Sequence, residues 1–456
     1  MNINLSDVVR DQRKFFKSGK TLELSFRLNS LKQLKKVVKD REDALLDAFK
    51  SELGKSPFEG YVTEIYQFKK ELNFHIKNLP RWVKPEKAKT PLIHVFSKSF
   101  IYSMPYGVVL LISPWNYPFN LSFIPLIGAI SAGNCVVLKP SGSVPETSRI
   151  MKMIAEEAFK PEHVCFLEPS EEVKKNILDE KFDYIFFTGG KEAGKRVMEK
   201  AVEHFTPVTL ELGGKSPCIV DNEADITSAS RRIVWGKFIN AGQTCIAPDY
   251  ILVDRAVKGE LIEGLKKSIV TFFGELPENS PDYGRIVDER HFDRLCSFLE
   301  NGKIIYGGRV NREELFIEPT LIEDVRPEDK IMKEEIFGPI LPISEYDSIE
   351  EAISFINSLP APLSLYFFSR NKEKQETVLK LTSSGGGCMN DTLIHFDNIN
   401  LPFGGVGESG MGRYHGKATF DTFSYRRSVI KRYGRWEVNL RYPPYRDRFS
   451  LVKKIL

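Results

Sequence analysis

No CxxC pair joins any of the six cysteines, Cys135, Cys165, Cys218, Cys245, Cys296 and Cys388. Scattered singly, they fit neither a disulfide scaffold nor a zinc site, so no metal is expected and a reducing cytoplasm is the natural setting. No unbroken apolar stretch reaches the roughly 20 residues that span a bilayer. The most apolar region, 107–138, is interrupted by Ser113-Pro114-Trp115-Asn116 and again by Pro118 and Pro125. Buried strands and a buried helix are expected there instead. The first twenty residues have no apolar core, so they do not read as a signal peptide. Net charge is also scarce. A formal +4 over 456 residues speaks against a nucleic-acid partner.

What is present is a balanced globular composition, 42% apolar and 28% charged, in a chain long enough for two or three domains. Apolar stripes at helical spacing (Leu31, Leu34, Val38, then Leu45, Phe49, Leu53) predict helix from Phe26 to Leu53. A second helix is predicted from about Val62 to Asn78, ending before Pro80. Residues 81–105 alternate loosely and carry Pro and Lys, which predicts an exposed ribbon. Five unbroken apolar runs follow: GVVLLIS, NCVVLKP, HVCFLEP, DYIFFTG and PVTLELG. Runs without alternation predict strands buried on both faces, hence a parallel, doubly wound α/β sheet. A second series (SPCIV, DYILVDR, EPTLIEDV, GPILPISEY, LSLYFFS) predicts a second α/β lobe, with a cleft between the two.

In such sheets ligands bind beyond the carboxyl ends of the strands. Several of these ends carry residues with chemical potential. Trp115 and Asn116 follow the first strand, where Asn116 is either a satisfied turn residue or an amide aimed at a developing oxyanion. Lys139 ends the second strand, either solvated or facing a sugar hydroxyl or phosphate. Gly189, Gly190 and Gly194 lead from a strand into a helix. They could admit a pyrophosphate to the backbone, although their spacing is not G-x-G-x-x-G. Glu211 interrupts an apolar strand, which calls for either a salt bridge to Lys215 or a task. Cys245, in NAGQTCIAP, sits among residues that punctuate a helix-to-strand junction, where a space-filling cysteine is out of place. EEIFGP, with Glu334, Glu335 and Phe337, and the glycine-dense 401–416 complete the set.

Taken in order, PWNYP, VVLKPS, FTGG, LELGGK, GQTCIAP, EEIFGP and LPFGGVG resemble the aldehyde dehydrogenase superfamily, over residues 114–416. The tail GESGMGRYHGKATFDTFSYRRS, RYPPY and the short N-terminus resemble its class 3 branch, which oxidises fatty and aromatic aldehydes. The resemblance implies NAD(P)-dependent oxidation of aldehydes to acids, with Cys245 as nucleophile, Glu211 as general base, and Asn116 with the Cys245 amide as oxyanion donors. It assigns coenzyme contacts to Lys139, Gly189, Gly194, Glu335, Phe337 and Trp115. Two departures stand out: Gly142 replaces a Glu common three residues after the Lys, which bears on the choice between NAD and NADP. Gly190 replaces a frequent Ser or Asn.

The alternatives are a CoA-acylating enzyme, which does not need the base at Glu211, and a non-catalytic binding protein on the same fold. By the same analogy, residues 1–80 and 106–210 would form the coenzyme-binding domain and 211–420 the catalytic domain. Residues 81–105 and 421–432 would form an oligomerisation arm of a homodimer. Ten Lys or Arg against two acidic residues from Arg426 onward make 433–456 a basic tail, solvated or in weak contact with anionic membranes.

Overall fold

The computed structural model describes residues 4–434, 442–445, 449–450 and 453. Most of the expected basic tail therefore lies outside the described residues. Strands are numbered along the chain. The five apolar runs become β3 (Val108–Ile112), β4 (Cys135–Lys139), β5 (Val164–Phe166), β6 (Tyr184–Thr188) and β7 (Val208–Glu211). They run parallel in the order β7-β6-β3-β4-β5. Helices cover both faces, which is why the runs contain almost no polar residues. From β3 the chain moves outward to β4 and β5, then returns to the other side for β6 and β7. The winding therefore reverses between β3 and β6, and a crevice opens beyond their carboxyl ends.

The second series forms another sheet. Its strands are β8 (Pro217–Val220), β9 (Tyr250–Asp254), β10 (Lys303–Tyr306), β13 (Thr320–Glu323), β14 (Ile340–Tyr346), β15 (Ser364–Phe368) and β16 (Gly386–Met389). The order is β10-β13-β14-β9-β8-β15-β16, parallel except for β10 at one edge. A small hairpin, β11 (Val310–Asn311) and β12 (Phe316–Ile317), stands apart. The glycine-dense segment returns to the first sheet as β17 (Gly410–Met411), antiparallel to β7, with Gly410 opposite Glu211. A Cβ on Gly410 would stand 2.2 Å from the Leu210 carbonyl oxygen, so this close pairing needs glycine.

The expected ribbon is a three-stranded antiparallel sheet of β1 (Glu86–Ala88), β2 (Ser97–Pro105) and β18 (Ser424–Arg432). The N-terminal helices Leu24–Asp40 and Glu42–Leu53 bury all six residues of the expected stripes. Two boundaries differ from expectation: the helix expected from Phe26 to Leu53 is divided at Arg41, and the next one ends late. The helix Tyr66–Trp82 runs through Pro80 instead of ending before it. Proline forgoes one backbone bond in the last turn, while Leu79 and Trp82, both buried, hold that turn against the core. The helix Asn120–Ala132 is buried at all 13 positions. It accounts for the apolar region that is too broken to span a membrane, and no helix among the described residues is long and apolar enough to do so.

Candidate active site

Cys245 owes its position to a strained turn. The helix Ile226–Phe238 starts on Asp225, whose side chain accepts the Ser228 N–H at 3.0 Å. After the helix, Asn240, Ala241 and Gly242 all take positive φ (52°, 51° and 75°). For Asn240 and Ala241 this left-handed backbone is costly and persists only where the surroundings enforce it. The enforcement comes from Gln243, which is fully buried. Its Nε2 donates to the carbonyls of Asn240 (3.0 Å) and Arg285 (2.9 Å), and its Oε1 accepts the Val287 N–H at 3.0 Å. The turn delivers Cys245 half-buried at the meeting point of two cavities.

One cavity, about 260 Å³, is the crevice at the reversal between β3 and β6. Pro114, Trp115 and Asn116 from the end of β3 line it, as do Thr188, Gly189 and Gly190 from the end of β6. Glu211, Glu335, Phe337 and Cys245 complete that side. The other cavity, about 320 Å³, is mainly apolar, with Val62, Tyr66, Leu121, Trp235, Ile394 and Phe396 among its walls, and it too reaches Cys245. The cysteine thus stands between an apolar tunnel and a mixed polar crevice.

Burial dominates the electrostatics. It raises the Glu211 carboxyl well above the ordinary carboxylate range, with the Arg413 guanidinium opposing. Neither carboxyl oxygen of Glu211 has a hydrogen-bond partner. The salt bridge to Lys215 that would have explained this residue structurally is not formed: the Lys215 ammonium pairs with Asp249 instead. Glu335 is pushed up to about 8, first by burial and then by the Asp249 charge, while the Gly214 N–H holds it back. The Cys245 thiol is raised by burial and by the charges of Glu335 and Glu211, against the backbone N–H groups of Cys245 and Ile246. Asn116 is buried, and its Nδ2 donates to the Gln243 carbonyl at 3.0 Å.

A match to the model of the Aldehyde dehydrogenase family covers residues 4–429. The chain belongs to this family. It is thereby an NAD(P)-dependent oxidoreductase acting on aldehydes. It is similar to the 4,4'-diaponeurosporen-aldehyde dehydrogenase of Staphylococcus aureus, 47% identical over 97% of each chain. It is also similar to the dimeric NADP-preferring aldehyde dehydrogenase of Rattus norvegicus, 43% identical over 97% of this chain and 98% of the rat protein. A solved structure described as the substrate-bound state of Staphylococcus aureus AldH superposes with a TM-score of 0.97, at 47% identity, over all of both chains.

In this aldehyde dehydrogenase the crevice gathers Trp115, Asn116, Gly189, Glu211, Cys245, Glu335 and Phe337. Lys139 and Gly194 are not on its wall. Lys139 ends β4, one strand away, where its Nζ donates to the Pro140 carbonyl at 3.2 Å. Gly194 is buried behind the crevice, where a Cβ would meet the Leu212 side chain at 2.7 Å. Sequence reasoning missed two wall residues, His291 and Arg294, both on the helix Glu289–Cys296. His291 lies edge to face with Trp115 (centroids 5.0 Å apart) and its Nδ1 is 2.7 Å from Asp288 Oδ1. Arg294 donates to the carbonyls of Glu335 (3.1 Å) and Ile336 (2.6 Å). On sequence alone, charges on an amphipathic helix read as a solvated face.

Proposed function

We propose that this enzyme oxidises medium- to long-chain aliphatic or aromatic aldehydes to carboxylic acids through a thiohemiacetal and then a thioester on Cys245. The observation that carries this reading is Cys245 at the junction of the apolar tunnel and the polar crevice. An aldehyde entering along the tunnel meets the thiol with its carbonyl leading and its apolar body still buried.

The crevice suits a nicotinamide dinucleotide, NAD or NADP. Gly190 caps the helix Lys191–Val202 at its N-terminus, and a Cβ there would find no atom within 4 Å. Backbone open to space at a helix N-terminus favours a pyrophosphate. Trp115 and Phe337, edge to face at 5.5 Å, and Glu335 would flank the ribose and ring, with Gly189 near the phosphates. Lys139 and Gly194 would act from outside the crevice wall, on the adenosine ribose and through helix packing. When bound, the coenzyme supplies the hydride acceptor.

The chain's own residues do the rest. The small thiolate fraction of Cys245 attacks the carbonyl carbon. The oxyanion so formed is met by the Asn116 side-chain amide and the Cys245 N–H. Loss of hydride leaves an acyl thioester. Glu211, whose burial makes its carboxyl bind a proton more tightly than an ordinary carboxylate does, then takes a proton from a water that attacks the thioester, releasing acid and thiol. A buried, unpartnered carboxyl at this place favours hydrolysis over transfer to CoA, and over a non-catalytic use of the fold.

Sheet β17-β7-β6-β3-β4-β5 and its helices would be the coenzyme domain, and the second sheet the catalytic domain. The ribbon, with Leu92, Ile93, Phe96 and Ile430 all more than half exposed, would be the arm of a homodimer, as the dimeric rat relative suggests. A cytoplasmic setting fits the six free cysteines, and the basic tail would give at most weak, salt-sensitive membrane contact. An absorbance assay of NAD(P)H formation with aliphatic aldehydes and benzaldehyde, with and without CoA, tests the proposal. Coenzyme reduction that needs no CoA and yields free acid is expected. No reduction, or acyl-CoA as the product, would overturn it.

A further inference from the structure

Three charged residues from one short stretch, Lys55, Glu59 and Glu64, lie directly beneath the two loops that carry Asn116 and Cys245. Lys55 and Glu64 are fully buried and paired, with Nζ 3.0 Å from Oε1. Removing two charges from water costs several kcal/mol each, and an apolar pair of similar size would often be at least as stable. The pair therefore has a reason beyond stability, and its remaining bonds indicate which one.

The Lys55 ammonium also donates to the carbonyl oxygen of Asn116 at 2.8 Å. It stands 4.1 Å from the centroid of the Tyr117 ring, within cation–π range. Tyr117 in turn shares a hydrogen bond of 2.7 Å with the hydroxyl of Thr244, the residue before Cys245. The second oxygen of Glu64 accepts the Asn120 N–H at 2.7 Å, which holds the start of the buried helix that follows Asn116. Glu59 accepts the N–H of Asn240 at 2.9 Å. The Asn240 side chain closes the circuit by donating to the carbonyls of Asn116 (3.0 Å) and Gln243 (3.1 Å).

We infer that Lys55, held by Glu64, is a positioning residue for acylation: it fixes the backbone of Asn116 and the ring of Tyr117, so that the Asn116 amide is aimed at the oxyanion formed on Cys245. This rests on the reading of Asn116 as oxyanion donor. A charge-assisted bond to a carbonyl is stronger and shorter than a neutral one. Aim matters because a displacement of about 1 Å in a catalytic group can lower a rate by roughly a hundredfold. Lys55 does not touch substrate in this scheme, and Glu59 supports the cysteine turn from the other side.

The test is the pre-steady-state burst of coenzyme reduction in Lys55→Met, Asn116→Ala and the double variant, with the rate of Cys245 alkylation by iodoacetamide as the control. Lys55→Met is expected to slow the burst by about tenfold or more while alkylation and the coenzyme KM stay within about twofold. Lys55→Met/Asn116→Ala is expected to be no slower than Asn116→Ala, because Lys55 acts only through that side chain. Should Lys55→Met fail to fold, Lys55→Met/Glu64→Met removes the uncompensated charge, and the same slow burst is expected in it. A folded variant with a wild-type burst overturns the inference, as does a double variant whose losses multiply. A wild-type burst in Asn116→Ala would instead overturn the oxyanion assignment itself.

Discussion

Gly213 and Glu335 are in direct apposition: a Cβ built on Gly213 would lie 2.0 Å from Oε2 of Glu335 and 2.5 Å from its Cδ. The glycine after β7 therefore leaves room for the carboxylate on which the ribose of the coenzyme is proposed to rest. Gly213→Ala should fold, since the displaced atoms end a flexible side chain. It should raise the coenzyme KM by roughly fivefold, the scale of one hydrogen bond, with less effect on kcat. An unchanged KM would remove Glu335 from the coenzyme contacts.

Glu335 also makes a prediction about stability. Its folded pKa of about 8 lies above the ordinary carboxyl value of 4.5, so the folded state binds the proton more tightly. The stability it contributes is complete below the unfolded value and is lost as pH rises through about 8. Glu335→Gln cannot ionise. Its melting temperature should match wild type near pH 4 and exceed it increasingly between pH 5 and pH 9. A difference independent of pH would contradict the assignment.

Position 142 addresses coenzyme choice. A Cβ on Gly142 would make an ordinary contact with Pro169 at 3.4 Å, so a side chain can begin there without displacing its neighbours. A carboxylate would repel the 2′-phosphate of NADP by roughly 4 kcal/mol per unit charge at about 4 Å before screening. The wild-type kcat/KM values for NAD and NADP should differ by less than about a hundredfold. Gly142→Glu should shift preference toward NAD mainly by weakening NADP. A wild type that ignores NADP, or an unchanged ratio in the variant, would mean that other residues set the choice.

The tunnel predicts a dependence on chain length. Each methylene buried against its apolar wall contributes about 0.8 kcal/mol, so kcat/KM should rise roughly fourfold per added carbon until the tunnel is filled. A flat profile from short to long aldehydes would mean that substrates do not enter along this wall.

Much of this was legible in the sequence, and the reasons are physical. Strands buried on both faces tolerate no alternation, so GVVLLIS and DYIFFTG announce a parallel sheet without help from their neighbours. Glu211 and Cys245 stood out because each sits where its residue type does not belong, but only the family resemblance gave them roles. Lys55, Glu59 and Glu64 were not visible, since their spacing also suits a solvated helix face and only tertiary packing buries them. His291 and Arg294 were missed for the same reason. Pro80 misled in the opposite direction: the rule against proline in a helix yields where the last turn is pinned by burial.

The division of labour between Cys245 and Glu211 is the centre of the account, and stopped-flow measurement of coenzyme reduction in Glu211→Gln tests it most directly. Cys245→Ala should show neither burst nor turnover. Glu211→Gln should give a burst close to one equivalent of reduced coenzyme per site at nearly the wild-type rate, followed by turnover slowed by about a hundredfold or more. Full steady-state activity in Glu211→Gln would contradict the account, because the buried carboxyl would then have no part in releasing the acid.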